Sequence, residues 1–137
     1  MSRIEHLSPP GLFRLEGFSQ VVVSSGARTA YIAGQGPFDE TMQLIGRGDF
    51  HAQTVQAFHN LRLCLAALEV GPERVVSSTI YVVDLDDARV EQFVAAMNVA
   101  LDGKPFPPNA SSLIGVARLG MPDMLVEIAA VAVLPAA

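Results

Sequence analysis

The spacing of hydrophobic positions alternates between two periods along the chain, and each switch marks an element. "FSQVVVSS" (18–25) and "TAYIAG" (29–34) are short, β-branched runs that read as strands, and "GAR" between them predicts a hairpin. From Asp49 the period lengthens. Val55, Phe58, Leu61, Leu65 and Leu68 recur at spacings of three and four, which is one face of a helix. Asp49 is the expected N-cap, and Gly71-Pro72 the expected stop. "RVVSSTIYVVDL" (74–85) predicts a long strand. "DDARVEQFVAAMNVAL" (86–101) predicts a second helix, capped by Asp86 or Asp87, with Val90, Phe93, Val94, Met97 and Leu101 on one side. "NASSLIGVARLGMPDMLVEIAAVAV" (109–133) reads as two consecutive strands. Residues 1–16 carry Pro9, Pro10 and Gly11 and read as irregular. "GQGPFDE" reads as a loop, and "TMQLIGRG" as a short extended piece or more loop.

The order β-β-α-β-α-β-β predicts an α+β domain over residues 1–137, with two helices on one face of a mixed sheet. Val21, Val23, Ile80, Val82, Leu113 and Leu125 are hard to place all on the covered side. The free face is therefore expected to be apolar and to associate.

Composition narrows the classes. A chain of 137 residues buries roughly two thirds of its unfolded surface, enough for one core. With 50% hydrophobic and 17% charged residues it is not a disordered chain. The net charge of −5 and nine scattered basic residues give no cluster for phosphates, so no nucleic-acid partner is expected. The single Cys64 cannot form an internal disulfide. Neither a signal-like N-terminus nor a membrane-length apolar run is present, and a cytoplasmic location without membrane contact is expected.

Glu127 is the main candidate for chemistry. It is the one carboxylate in "MLVEIAAVAV", and apolar neighbours on both sides suit general acid or base work. The plainer reading is a solvent-facing strand residue or an arginine's partner across an interface. His51 and His59 are eight apart on one helix, beyond the one-turn spacing of a metal pair, and His6 is isolated; no metal site is expected. Cys64 reads as a small buried thiol. "GQGP" lacks a phosphate-loop pattern and reads as a turn whose amides could line a pocket. Asp84, Asp86 and Asp87 lack calcium-loop spacing, and the paired serines (24–25, 77–78, 111–112) have no nucleophile-elbow context.

Four segments together carry a resemblance: "IAGQGP", "TVQAFHNLRLCLAALEVGPERVVSSTIYVVDL", "FPPNASSLIGVARL" and "VEIAAVAV". Over roughly residues 17–134, in order and spacing, the chain resembles the reactive-intermediate deaminase family (Rid, YjgF/YER057c/UK114, or endoribonuclease L-PSP). The resemblance implies a chorismate-mutase-like fold, a homotrimer with clefts between subunits, a small-molecule ligand and no cofactor. It implies, from the well-studied branch, hydrolysis of enamines and imines released by pyridoxal-phosphate enzymes to a 2-oxoacid and ammonia. It matches Glu127 to the carboxylate that positions water. It also matches Phe18 to the aromatic cover, where tyrosine is usual, and Gly34 to the loop that offers backbone contacts, after Ala33 in place of serine. Leu113 falls where the family has cysteine, and could still offer its amide.

The main departure is Ser111, where the deaminase branch has the arginine that binds the substrate carboxylate as a fork. Serine donates one neutral hydrogen bond. Seven strand residues, about 23 Å, separate it from Arg118, and odd spacing points the two to opposite faces. Arg14 and Arg28 near the hairpin remain candidates to enter a cleft from another subunit. The sequence supports three readings: an imine or enamine hydrolase of a divergent branch, a non-catalytic small-molecule binder, and, less well, a ribonuclease or translation inhibitor.

Overall fold

The structure is a computed structural model, and it describes residues 3–7, 9–11, 16, 19, 21–25 and 28–135. Its strands are β1 (Arg3–Leu7), β2 (Val21–Ser25), β3 (Arg28–Gln35), β4 (Val75–Val83), β5 (Ala110–Val116) and β6 (Val126–Leu134). Its helices are α1 (Phe50–Ala67) and α2 (Asp87–Val99), with a short 3-10 turn at Pro72–Arg74. The class is α+β, as the pattern predicts.

β3, β6, β4 and β5 form the main sheet in that spatial order. β6 pairs antiparallel with both β3 and β4, and β4 pairs parallel with β5. The two consecutive strands of 109–133 are thus separated by β4. The expected hairpin between 18–25 and 29–34 is corrected. β2 pairs with β1, Leu7 opposite Val21, and β3 pairs with β6. β1 also replaces part of the segment expected to be irregular. Its five residues, "RIEHL", are too few and too polar to announce a strand by periodicity.

Ile80, Val82, Val126, Ile128 and Ala130 face the helices and meet Phe50, Phe58, Leu61, Leu65 and Phe93 in one core. Leu113 and Leu125 pack against it. That corrects the expected free face, because Ile80, Val82, Leu113 and Leu125 all belong to the covered side. The opposite face carries Tyr31, Thr79, Tyr81, Glu127, Ala129 and Val131, by strand alternation. Tyr31 there is 82% exposed. The open face is therefore a mixture of small, aromatic and hydroxyl side chains with one carboxylate.

Both helix starts follow the sequence. Asp49 accepts from the Ala52 amide at 3.0 Å, and Asp86 from the Arg89 amide at 2.8 Å. The stop of α1 differs. Leu68 caps it, and Glu69 takes a left-handed φ of 59°. The amides of Glu69 and Val70 then return to Ala66 and Leu65 at 3.0 and 3.1 Å, a Schellman closure that precedes Gly71. The buried side of α1 includes Gln53 and Thr54, which a hydropathy stripe does not select.

Residues 36–48 form a tied loop with an isolated bridge between Phe38 and Leu44. Asp39 accepts from the Thr41 amide at 2.9 Å, the Thr41 hydroxyl at 2.8 Å and the Gln43 amide at 2.9 Å. The Gln43 amide first, then the Thr41 hydroxyl, hold the Asp39 carboxyl below its ordinary value. Its folded value lies below the unfolded one, so the tie stabilises above the ordinary aspartate range and is lost as pH falls through the folded value. We expect the Thr41 and Gln43 amides to keep their hydrogen-exchange protection down to the ordinary aspartate range, about 4, and to lose it as pH falls further, after correction for intrinsic rates. Asp39→Asn should abolish that dependence; an unchanged pH profile in the variant would contradict it.

Candidate functional site

β3 carries one residue more than β6 where they meet. Ile32 pairs with Ala130 and Gln35 with Ile128, so Ala33 and Gly34 together oppose Ala129. The extra residue interrupts the ladder, and the Gln35 side-chain amide donates to the Ala33 carbonyl at 2.9 Å. The bulge also sets Gly34 against Glu127. A Cβ built on Gly34 would lie 2.6 Å from Glu127 Oε2 and closer still to the carboxyl carbon. Only a residue without a side chain lets the carboxylate rest there.

Glu127 lies between Val126 and Ile128, both in the core, so its own side chain takes the open face. It is half-buried and opposite Tyr81 of β4. No described residue hydrogen-bonds to its carboxylate or forms an ion pair with it. The carboxylate is held by packing, and its oxygens are left for a water or a ligand. On the α1 side of the β3 end, an open groove of about 580 Å³ is lined by Gly34, Gly36, Phe38, Asn60, Leu63 and Cys64 among others, and meets the pair through Gly34 and not through Glu127. Burial pushes the Cys64 thiol up from its ordinary value, which keeps it in the unreactive protonated form.

The remaining sequence candidates are dispersed. Ser111 pairs with Ser78 on the helix side of the sheet, opposite in face to Glu127. It lines an internal cavity of about 20 Å³ with Phe58, Phe93, Phe106, Ser78 and Asn109. Ser78 donates to Asn109 Oδ1 there at 2.7 Å. Leu113 packs on the same side, against the core. One chain therefore brings Gly34 and Glu127 together and keeps Ser111 and Leu113 apart from them. Phe18 and Arg14 lie outside the described residues. Arg28 opens β3 opposite Leu134, at the far end from Gly34. Arg118 lies just beyond β5, with its Nε–H on the Leu119 carbonyl at 3.1 Å.

Sequence reasoning missed Tyr81, which the β4–β6 register places beside Glu127, and the bulge that brings Gly34 to it. Among the described residues no group of three or more His, Cys, Asp or Glu could hold a metal. No described helix is long and apolar enough to cross a membrane.

Gly34→Ala separates site from fold. The displaced atoms are the far end of a flexible side chain, and alanine in a strand gains about 0.5–1 kcal/mol over glycine. The variant should unfold in denaturant within about 1 kcal/mol of wild type, yet its Glu127 carboxylate should be displaced in a crystal structure. A Glu127 carboxylate that has not moved in the Gly34→Ala crystal structure would leave the close approach without consequence.

The family described as endoribonuclease L-PSP matches residues 13–134. A RutC family protein of Synechocystis sp. is 36% identical over 122 residues, 86% of each chain. The RutC family protein UK114 of Drosophila melanogaster is 36% identical over 118 residues, 84% of this chain and 78% of its own. The crystal structure of YyfB from Yersinia pestis, a Rid-family protein of unknown function, superposes with a TM-score of 0.87 at 33% identity, covering 96% of this chain and 98% of that one. RidA from an Antarctic Psychrobacter superposes at 0.67 and 28% identity, over 89% and 92%. These neighbours fit the chorismate-mutase-like α+β fold. The chain belongs to the endoribonuclease L-PSP family, the Rid, YjgF and UK114 proteins, and that membership supports a small-molecule deaminase or binding role.

Proposed function

We propose that this protein hydrolyses a small reactive imine or enamine, with Glu127 holding the attacking water. The observation that carries this reading is the Glu127 carboxylate, unpartnered among the described residues and fixed over the Gly34 bulge. In the reaction, Glu127 accepts a proton as the water oxygen bonds to the imine carbon. That proton passes to the nitrogen and completes a neutral carbinolamine, and Glu127 then takes the carbinolamine hydroxyl proton and delivers it to the same nitrogen, making it a leaving group. The carbon–nitrogen bond breaks, leaving a carbonyl compound and ammonia. An enamine is first protonated on carbon to its imine. No cofactor or metal enters this sequence. Backbone amides at the bulge orient the substrate, and Phe18 covers it.

The site is read as a cleft between subunits of a cytoplasmic homotrimer. Ser111 and Glu127 occupy opposite faces of one sheet, so a cleft that holds both takes Ser111 from the β5 edge of a neighbouring subunit, where Leu113 offers its backbone amide while its side chain stays against the core. The open face with exposed Tyr31 is the surface available for that assembly. Ser111 supplies a neutral hydrogen bond where the resemblance leads to an arginine. The preferred substrate therefore carries less negative charge than a simple imino acid. An anionic one meets an arginine from elsewhere, with Arg118, Arg28 and Arg14 the candidates.

A second reading, a non-catalytic small-molecule binder, is favoured by that same Ser111. A third, ribonuclease activity, has less support. Arg3, Arg47 and Arg62 pair with carboxylates, and Arg74 and Arg89 donate to backbone carbonyls. Three of the nine basic charges are thus offset by carboxylates, on a chain of net charge −5.

The test generates 2-iminobutanoate in place with an amino-acid oxidase and follows its decay, alongside a neutral imine. Wild type should accelerate decay, and Glu127→Gln should lose on the order of 10²–10⁴-fold. Ser111→Arg should raise the rate on the anionic imine above wild type, because β5 is an edge strand from which a long side chain can extend. Ligand binding with no turnover in any form would establish the binder. RNA cleavage that weakens steeply with salt would establish the third reading. A light-scattering mass away from three subunits would remove the shared cleft.

A further inference from the structure

α1 carries three side-chain amides on one face, Gln53, Gln56 and Asn60, at spacings of three and four. Each reaches a loop that ends at the Gly34–Glu127 pair. Asn60 Nδ2 donates to the carbonyls of Gly36 and Phe38, both at 2.8 Å. Gln56 Nε2 donates to Asn60 Oδ1 at 3.1 Å, which orients the Asn60 amide. These bonds hold the segment that follows Gly34. Gln53 works on the other wall. Its Oε1 accepts from the Leu125 amide at 2.8 Å, two residues before Glu127. Its Nε2 donates to the Asp123 carbonyl at 3.0 Å and to the Gly46 carbonyl at 3.2 Å.

Gln53 is fully buried, with 0% exposure. A methionine has nearly its shape and would fill the same space with no polar group to desolvate. The amide adds what methionine cannot, a fixed distance between α1 and the start of β6. Glu127 itself has no hydrogen-bond partner among the described residues, so its position over Gly34 is set by the backbone on either side.

We propose that Gln53 and Asn60 are positioning residues that clamp the two walls of the site, Gln53 fixing Glu127 and Asn60 fixing Gly34. The clamp would serve the hydrolase reading, and in that respect it rests on it. Its geometric claim stands apart from the chemistry and is tested separately.

The experiment uses the 137-residue chain with uniform nitrogen-15 and with glutamate side-chain carboxyls labelled with carbon-13, the Glu127 resonance being assigned from Glu127→Gln. Spectra are recorded at neutral pH for wild type, Gln53→Met, Asn60→Ala and Leu61→Val. Leu61→Val destabilises the core without touching either loop. Gln53→Met should displace the Glu127 resonance and leave those of Glu73 and Glu91 in place. Asn60→Ala should displace the Gly34 amide cross-peak. Leu61→Val should do neither. On imine substrate, Gln53→Met should lower kcat about tenfold with KM within about twofold of wild type, the signature of a lost transition-state interaction, and should add no loss to Glu127→Gln. If Gln53→Met does not fold, Asn60→Ala decides alone, since Asn60 is only partly buried. Resonances of Glu127 and Gly34 that superpose on wild type in the folded variants, or that move equally in Leu61→Val, overturn the clamp. Displaced resonances with no turnover even in wild type uphold the clamp and overturn the hydrolase reading.

Discussion

The Glu127 carboxylate occupies the space that a side chain at residue 34 would need. That contact depends on β6 running between β3 and β4, on the bulge at Ala33 and Gly34, and on a glycine at the crossing. Core packing fixes the rest. Val126 and Ile128 are anchored among the helix side chains, and alternation then leaves Glu127 no choice of face. A carboxylate between two core residues of a central strand is thus delivered to the open side of the sheet without any ion pair among the described residues to hold it.

Polar groups on α1 complete the arrangement. A helix covering a sheet needs only apolar contacts to bury its face, yet α1 buries Gln53 and Thr54 among Phe50, Phe58 and Leu61. Thr54 bonds back to the Phe50 carbonyl at 2.8 Å and spends its hydroxyl within the helix. Gln53 instead ties α1 to Asp123 and Leu125, which lie 70 and 72 positions further along the chain. Buried amides with every bond satisfied specify one geometry where an apolar core would accept several. The helix therefore supports the sheet and sets the loops at its end.

The parts of the fold legible in the sequence were those with local causes. Asp49 and Asp86 announce helix starts because a cap is a contact over three residues. The stop of α1 was not legible, since Glu69 adopts the left-handed turn usually given to glycine. Strand partners were not legible either. Nothing in 18–34 says that β3 leaves its neighbour for β6, at the far end of the chain. For the site, Glu127 stood out as one charge in an apolar run, and Gly34 entered through the family resemblance. Their contact needed the bulge, which has no sequence mark beyond a glycine. The face of Ser111 was equally hidden, because parity within a strand is known only after its partner is known. Phe18 lies outside the described residues.

The Gly34–Glu127 pair is where we propose that a small carbonyl or imine compound binds. The most direct measurement is a nitrogen-15 and carbon-13 NMR titration with 2-oxobutanamide, a neutral product analogue, and with 2-oxobutanoate for comparison. Binding there gives saturable shifts centred on Gly34, Gln35 and the Glu127 carboxylate, with the neutral compound binding at least as tightly as the anion. Shifts centred instead on Met97, Phe106 and the interior cavity, with Gly34 and Glu127 unmoved, would contradict it.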